Sequence, residues 1–76
     1  MNETDYATIH KAIFRKIFNT LNSLWPPENT VEYWGKAIPA VTAIMDEFHD
    51  NPLARGLAFA LCDYLEKEGK KLQGEL

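Results

Sequence analysis

The stretch Asn29–Phe48, NTVEYWGKAIPAVTAIMDEF, decides whether this chain has three helices or four. Val31, Trp34, Ile38, Val41, Met45 and Phe48 recur at helical spacing and share one face, with Ala37 and Ile44 at its margin. Glu32, Gly35, Lys36, Thr42, Asp46 and Glu47 occupy the other face. Pro39 lies inside this pattern, where a proline removes one backbone N–H and crowds the preceding turn. The apolar phase nevertheless continues past Pro39 without slipping, and Pro39 itself falls on the polar side. There, water can replace the bond lost by the Gly35 carbonyl. The expectation is therefore one helix kinked at Pro39, with two short helices meeting near Ile38 as the alternative. The opening Asn29-Thr30-Val31-Glu32 fits a capped start with a carboxylate three residues on.

Working outward, punctuation falls on either side of this stretch. Trp25-Pro26-Pro27-Glu28-Asn29 precedes it, and two prolines in series cannot continue a helix. His49-Asp50-Asn51-Pro52 follows, with Asn51 suited to an N-cap and Pro52 to the first helical position. Between Thr4 and Leu24, one apolar line runs through Tyr6, Ile9, Ile13, Ile17 and Leu24. A second runs beside it through Phe14, Phe18, Leu21 and Trp25. Together they span about half of the helical wheel, more than one neighbouring helix covers. Thr4 or Asp5 is the expected cap. After Pro52 the stripe is Leu53, Leu57, Leu61, Tyr64, Leu65 and Leu72, with Gly69 as the expected stop and Lys67, Lys70 and Lys71 beside it.

The fold expectation is an all-α, three-helix, bundle-like single domain over residues 1–76, with helices at about 4–24, 30–49 and 52–68. A 76-residue chain has room for one small core, and such domains usually gain a disulfide, a metal or a partner. One cysteine, Cys62, excludes an internal disulfide and points to a reducing compartment. No run of residues is long and apolar enough for a membrane span, and Met1–Asp5 does not read as a secretory signal. The expected location is the cytoplasm. Eleven acidic and eight basic side chains give a net charge of −3, which disfavours general binding to polyanions.

Several residues bear chemistry without forming a recognisable centre. Asp46, His49 and Asp50 gather near one helix end, yet a histidine there suits the helix dipole and an aspartate suits the turn. His10 falls within the first apolar arc, where a polar ring needs a partner. Cys62 sits mid-helix in an apolar run, the wrong setting for a lowered thiol pKa. No catalytic residue, metal ligand or cofactor is expected.

The run Leu57-Ala58-Phe59-Ala60-Leu61-Cys62 is apolar all round. Phe59 projects from the leucine stripe among Arg55, Gly56 and Asp63. A helix of this kind is central or covered by a second body, and three helices leave no central place. Gly56 and Ala60, with Ala54, Ala58 and Cys62, form rows of small residues that allow close packing within the bundle or between chains. The expected function is a non-enzymatic interaction module: an adaptor, regulator or inhibitor that binds another protein, itself, or both. Its contact patch is placed at Arg55, Phe59 and Asp63, with Tyr33 contributing, and Phe59→Ser is expected to weaken association. The alternative is a small nucleic-acid-binding regulator using Lys11, Arg15 and Lys16, although three cations are few for that task.

Overall fold

The computed structural model describes residues 3–72 and Gly74, with side chains from Tyr6 onward. The described residues form three α-helices: α1 over Glu3–Leu24, α2 over Val31–Glu47 and α3 over Pro52–Leu72. α2 runs through Pro39 as a single helix, so the two-helix alternative fails. Its N-cap is Thr30 rather than Asn29. The Thr30 hydroxyl accepts from the Tyr33 N–H at 3.1 Å, which sets the helix one residue later than expected.

α2 ends at Glu47, and the left-handed backbone of His49 and Asp50 (φ 51° and 57°) turns the chain into α3. Asn51 caps α3 as its sequence requires, its Oδ1 accepting from the Leu53 N–H at 2.9 Å. α1 begins at Glu3, so Thr4 and Asp5 lie inside its first turn rather than at the cap. The cap position before Glu3 lies outside the described residues.

Gly69 does not stop α3, which continues to Leu72. It is buried instead, and a Cβ added there would stand 3.6 Å from the Glu28 carbonyl carbon and from Pro27 Cβ. The α1–α2 connection therefore lies across α3 at this position. Gly74 supplies the left-handed residue, with φ 79° and its N–H donating to the Lys71 carbonyl at 3.0 Å.

α1 and α2 run antiparallel. Lys16 pairs with Glu47 at one level of α1 and α2, while the Tyr33 hydroxyl donates to the Leu24 carbonyl at another. The radius of gyration is 13.8 Å, against about 11 Å for a compact domain of this length. The bundle is therefore elongated, with extents of 48 × 19 × 18 Å.

The interior is lined by Ile13, Ala37, Val41, Ile44, Ala54, Ala58, Leu61 and Leu65. Two helices are thus rotated from the expected faces. In α2 the buried centre is Ala37, Val41 and Ile44, while Val31 and Ile38 are exposed. In α3 the buried row is Ala54, Ala58, Leu61 and Leu65; Leu53 and Leu57 are half-buried, and Tyr64 and Leu72 are exposed. Alanines at the contact let helix axes approach closely, which gains dispersion contacts along the whole seam. Of the small-residue rows, Ala54 and Ala58 are spent inside the bundle, and Gly56 and Ala60 face outward.

Candidate interaction surface

The close approach has a consequence outside. At 100° per residue, turning the alanines of α2 and α3 inward swings bulkier neighbours onto the outer flanks. Among the described residues nine large hydrophobic side chains are exposed, whereas eight hydrophobic residues are buried and three of those are alanine. The surplus divides by seam.

The α1–α2 seam is polar. Lys16 Nζ lies 3.3 Å from Glu47 Oε1, in a shallow depression shared with Ala12, Arg15 and Asn19. The pairing removes one of the three cations of the nucleic-acid alternative, and Lys11 and Arg15 remain as exposed charges. Glu47 beside Lys16 and Arg15 lowers the positive potential of that part of the surface.

The α2–α3 flank is apolar. Val31, Trp34, Gly35 and Ile38, with Asn29 and Thr30 behind them, line an open notch of about 470 Å³. Val31 is 87% exposed at its rim. Three of the four expected contact residues, Arg55, Phe59 and Asp63, are exposed on α3 and do not line this notch. Phe59 is 56% exposed, as its position among polar neighbours suggests, and the Arg55 guanidinium lies 5.8 Å above its ring. Asp63 is exposed and engaged with Lys67 at 3.0 Å. Tyr33 is placed apart from these three. Its hydroxyl is tied to Leu24 and its ring meets Trp34 edge-on at 5.2 Å, so it braces the Pro-Pro turn. Burial, then the nearby Cys62 and Glu28, raises the Tyr33 pKa above the ordinary phenol value.

The α1–α3 flank holds the larger surface, which the expectation centred on Phe59 passed over. Phe14 (55% exposed), Phe18 (61%) and Trp25 (44%) follow one line at the edge of α1, and Tyr64 (47%) faces them from α3. Trp25 and Tyr64 stack, with ring centroids 6.1 Å apart and planes at 19°. With Leu21 and Asn22 they line a pocket of about 370 Å³. The sequence signal for this surface was the half-wheel apolar arc of α1, too wide for the neighbours available. His10 belongs to the same arc and is exposed, 6.4 Å from the Tyr6 ring.

The remaining chemistry-bearing residues do not gather. Among the described residues no group of three or more His, Cys, Asp or Glu side chains is placed to hold a metal ion, Asp46, His49 and Asp50 included. Burial, then Glu66 and Asp63, pushes the Cys62 thiol above its ordinary range, so the nucleophilic thiolate is scarce at neutral pH. No described helix is long and apolar enough to cross a membrane. Comparison with known proteins found no matching family model, no matching curated protein and no matching solved structure.

Proposed function

We propose that this chain is a non-enzymatic interaction module, a small adaptor, regulator or inhibitor that works by helix-mediated binding to another protein, to itself, or both. The observation that carries the reading is the inverted distribution of hydrophobic bulk: large aromatic and branched side chains stand on the outside of a bundle whose interior is lined partly by alanine. A protein held together by so thin a core gains from covering its apolar flanks.

On this reading the exposed Arg55, Phe59 and Asp63 patch on α3 receives a partner protein. Tyr33 contributes by holding the turn that shapes the notch. Pro39 lies inside α2, and on this reading it bends the helix and leaves the Gly35 carbonyl, with no N–H at position 39 to accept from, as an acceptor beside the notch that Gly35 helps to line. The working location is the cytoplasm, and no cofactor is involved.

Light scattering after size exclusion, across a hundredfold range of concentration, tests the reading. The expected result is a mass above the 8.7 kDa of one chain, or co-elution with a second protein from a cell extract that Phe59→Ser abolishes. A chain that stays monomeric throughout and passes through the extract unaccompanied overturns it.

A further inference from the structure

We infer that the aromatic α1–α3 flank is the seat of a second copy of this chain, packed antiparallel about a two-fold axis at Phe18. This deepens the reading above and depends on its self-association arm.

Area is the first consideration. Phe14, Phe18, Trp25 and Tyr64 each leave about half of their surface exposed. At about 150–250 Å² per aromatic side chain, the four rings present about 400 Å². A standard interface buries about 800 Å² per partner, of which about 450–520 Å² is apolar. The rings alone come close to that apolar share, and half-buried Leu21 and exposed Ala60 lie beside them. The notch on α2 offers two large aliphatic side chains and the patch on α3 a single exposed aromatic, Phe59, so the flank bearing Phe14 and Phe18 is the better seat.

Shape is the second. A two-fold interface must be complementary to itself. This flank carries a knob and a hole: the Phe14 ring near one end, and the pocket among Leu21, Asn22, Trp25 and Tyr64 near the other. Phe14 and Asn22 are eight residues apart, about 12 Å along the helix, and Phe18 is midway between them. An axis at Phe18 therefore seats each Phe14 in the partner's pocket while the two Phe18 rings meet.

Charge is the third. Lys11 and Arg15 border the flank, and neither has an ion pair among the described residues. A parallel pairing sets each against its own copy. The antiparallel pairing separates the two Lys11 side chains by about 21 Å and the two Arg15 side chains by about 9 Å along the axis, beyond the roughly 8 Å screening length at physiological salt. It also brings Lys11 to the level of the partner's Trp25, whose ring face attracts a cation.

The experiment is sedimentation equilibrium on the full chain, on Phe18→Glu, on Phe18→Lys and on an equimolar mixture of the two. The wild type is expected to dimerise. Each variant is expected to weaken the dimer about thirtyfold or more. The mixture is expected to recover a dimer, because residue 18 faces its own copy. Helicity by circular dichroism should be unchanged in both variants, since Phe18 is exposed. Phe59→Ser should leave the dimer intact.

A dimer untouched by both Phe18 variants keeps self-association and overturns this face. Variants that dissociate but do not recover on mixing overturn the axis at Phe18. A wild type that is monomeric up to millimolar concentration overturns the dimer altogether, and leaves binding to another protein to the co-elution test.

Discussion

Ala58 and Phe59 are consecutive residues in one apolar run, yet Ala58 is fully buried and Phe59 stands more than half exposed with a guanidinium above it. The same contrast separates Ile44 from Ile38 on α2: identical side chains, one at 0% exposure and one at 55%. Hydrophobicity does not distinguish these pairs. What does is how near each position lets a neighbouring helix come. The interior selects for close approach along the seams, and the flanks receive whatever bulk remains. The molecule therefore has a thin, tight inside and a greasy outside, and these respond differently to substitution.

The two isoleucines give the sharpest test. Ile44→Ala empties a site closed on all sides and should cost about 3 kcal/mol of unfolding free energy. Ile38→Ala should cost under about 1 kcal/mol, since about half of that side chain is already in water. Urea unfolding of both variants measures the difference. Equal losses would mean either that a second copy covers the flank carrying Ile38 instead of the one carrying Phe18, or that Ile38 is packed within the monomer. A repeat at low concentration, where a dimer dissociates, then separates the two explanations.

The reverse experiment adds bulk. Ala58→Leu forces three carbons into a seam with no space for them and should destabilise by about 2 kcal/mol. Phe59→Leu, one residue on, should stay within about 0.5 kcal/mol of wild type in the monomer. A neutral Ala58→Leu would show that the helices can separate cheaply, and the account of why bulk lies outside would fall.

Tyr33 joins the two regions, because its hydroxyl bonds the Leu24 carbonyl at 2.9 Å while its ring supports the notch. Tyr33→Phe should cost about 1 kcal/mol near neutral pH. Its raised pKa adds a pH signature. The folded-state value lies above the unfolded one, so the unfolded chain ionises first; the stabilisation is complete below the ordinary phenol range and is lost as pH rises through the folded value. Cys62 acts in the same direction, starting from the lower thiol range. Wild-type stability should therefore fall as pH rises above about 9, and Tyr33→Phe should flatten the part of that fall above about pH 10. An unchanged slope in the variant would show that Tyr33 ionises as freely folded as unfolded.

How much of this was legible in the sequence follows the same division. Two local signals agree with the structure, Asn51-Pro52 starting α3 and the Pro-Pro pair ending α1, whereas the caps expected at Thr4 or Asp5 and at Asn29 lie elsewhere. The unbroken apolar phase across Pro39 was enough to give one helix. The facing of α2 and α3 was misread because periodicity favours the largest apolar residues for the core, whereas these seams are set by Ala37, Ala54 and Ala58. The candidate surface was half visible. Phe59 drew notice for its polar neighbours, while Phe14, Phe18 and Trp25 were absorbed into a stripe that only the packed bundle shows to be uncovered. Gly69 carries the signature of a helix stop, and nothing local reveals that Pro27 and Glu28 will lie against it.

Gly69 also provides the smallest and most discriminating test of close approach. It lies inside α3 with a right-handed backbone, and an added Cβ meets its nearest neighbours at 3.6 Å, an ordinary van der Waals distance. Gly69→Ala should therefore fit, and it should stabilise by about 0.5–1 kcal/mol because the unfolded chain loses freedom that the helix never uses. Gly56→Ala, on the open side of the same helix with nothing within 4 Å, should gain a similar amount from backbone entropy alone. The informative quantity is the difference between them. A Gly69→Ala gain exceeding that of Gly56→Ala would mean that the methyl packs against Pro27 and tightens the turn. A gain that vanishes at Gly69 alone would mean that the connection presses on α3 more closely than 3.6 Å in solution. The glycine would then be required there by the approach of the chain, just as the alanines are required along the seams.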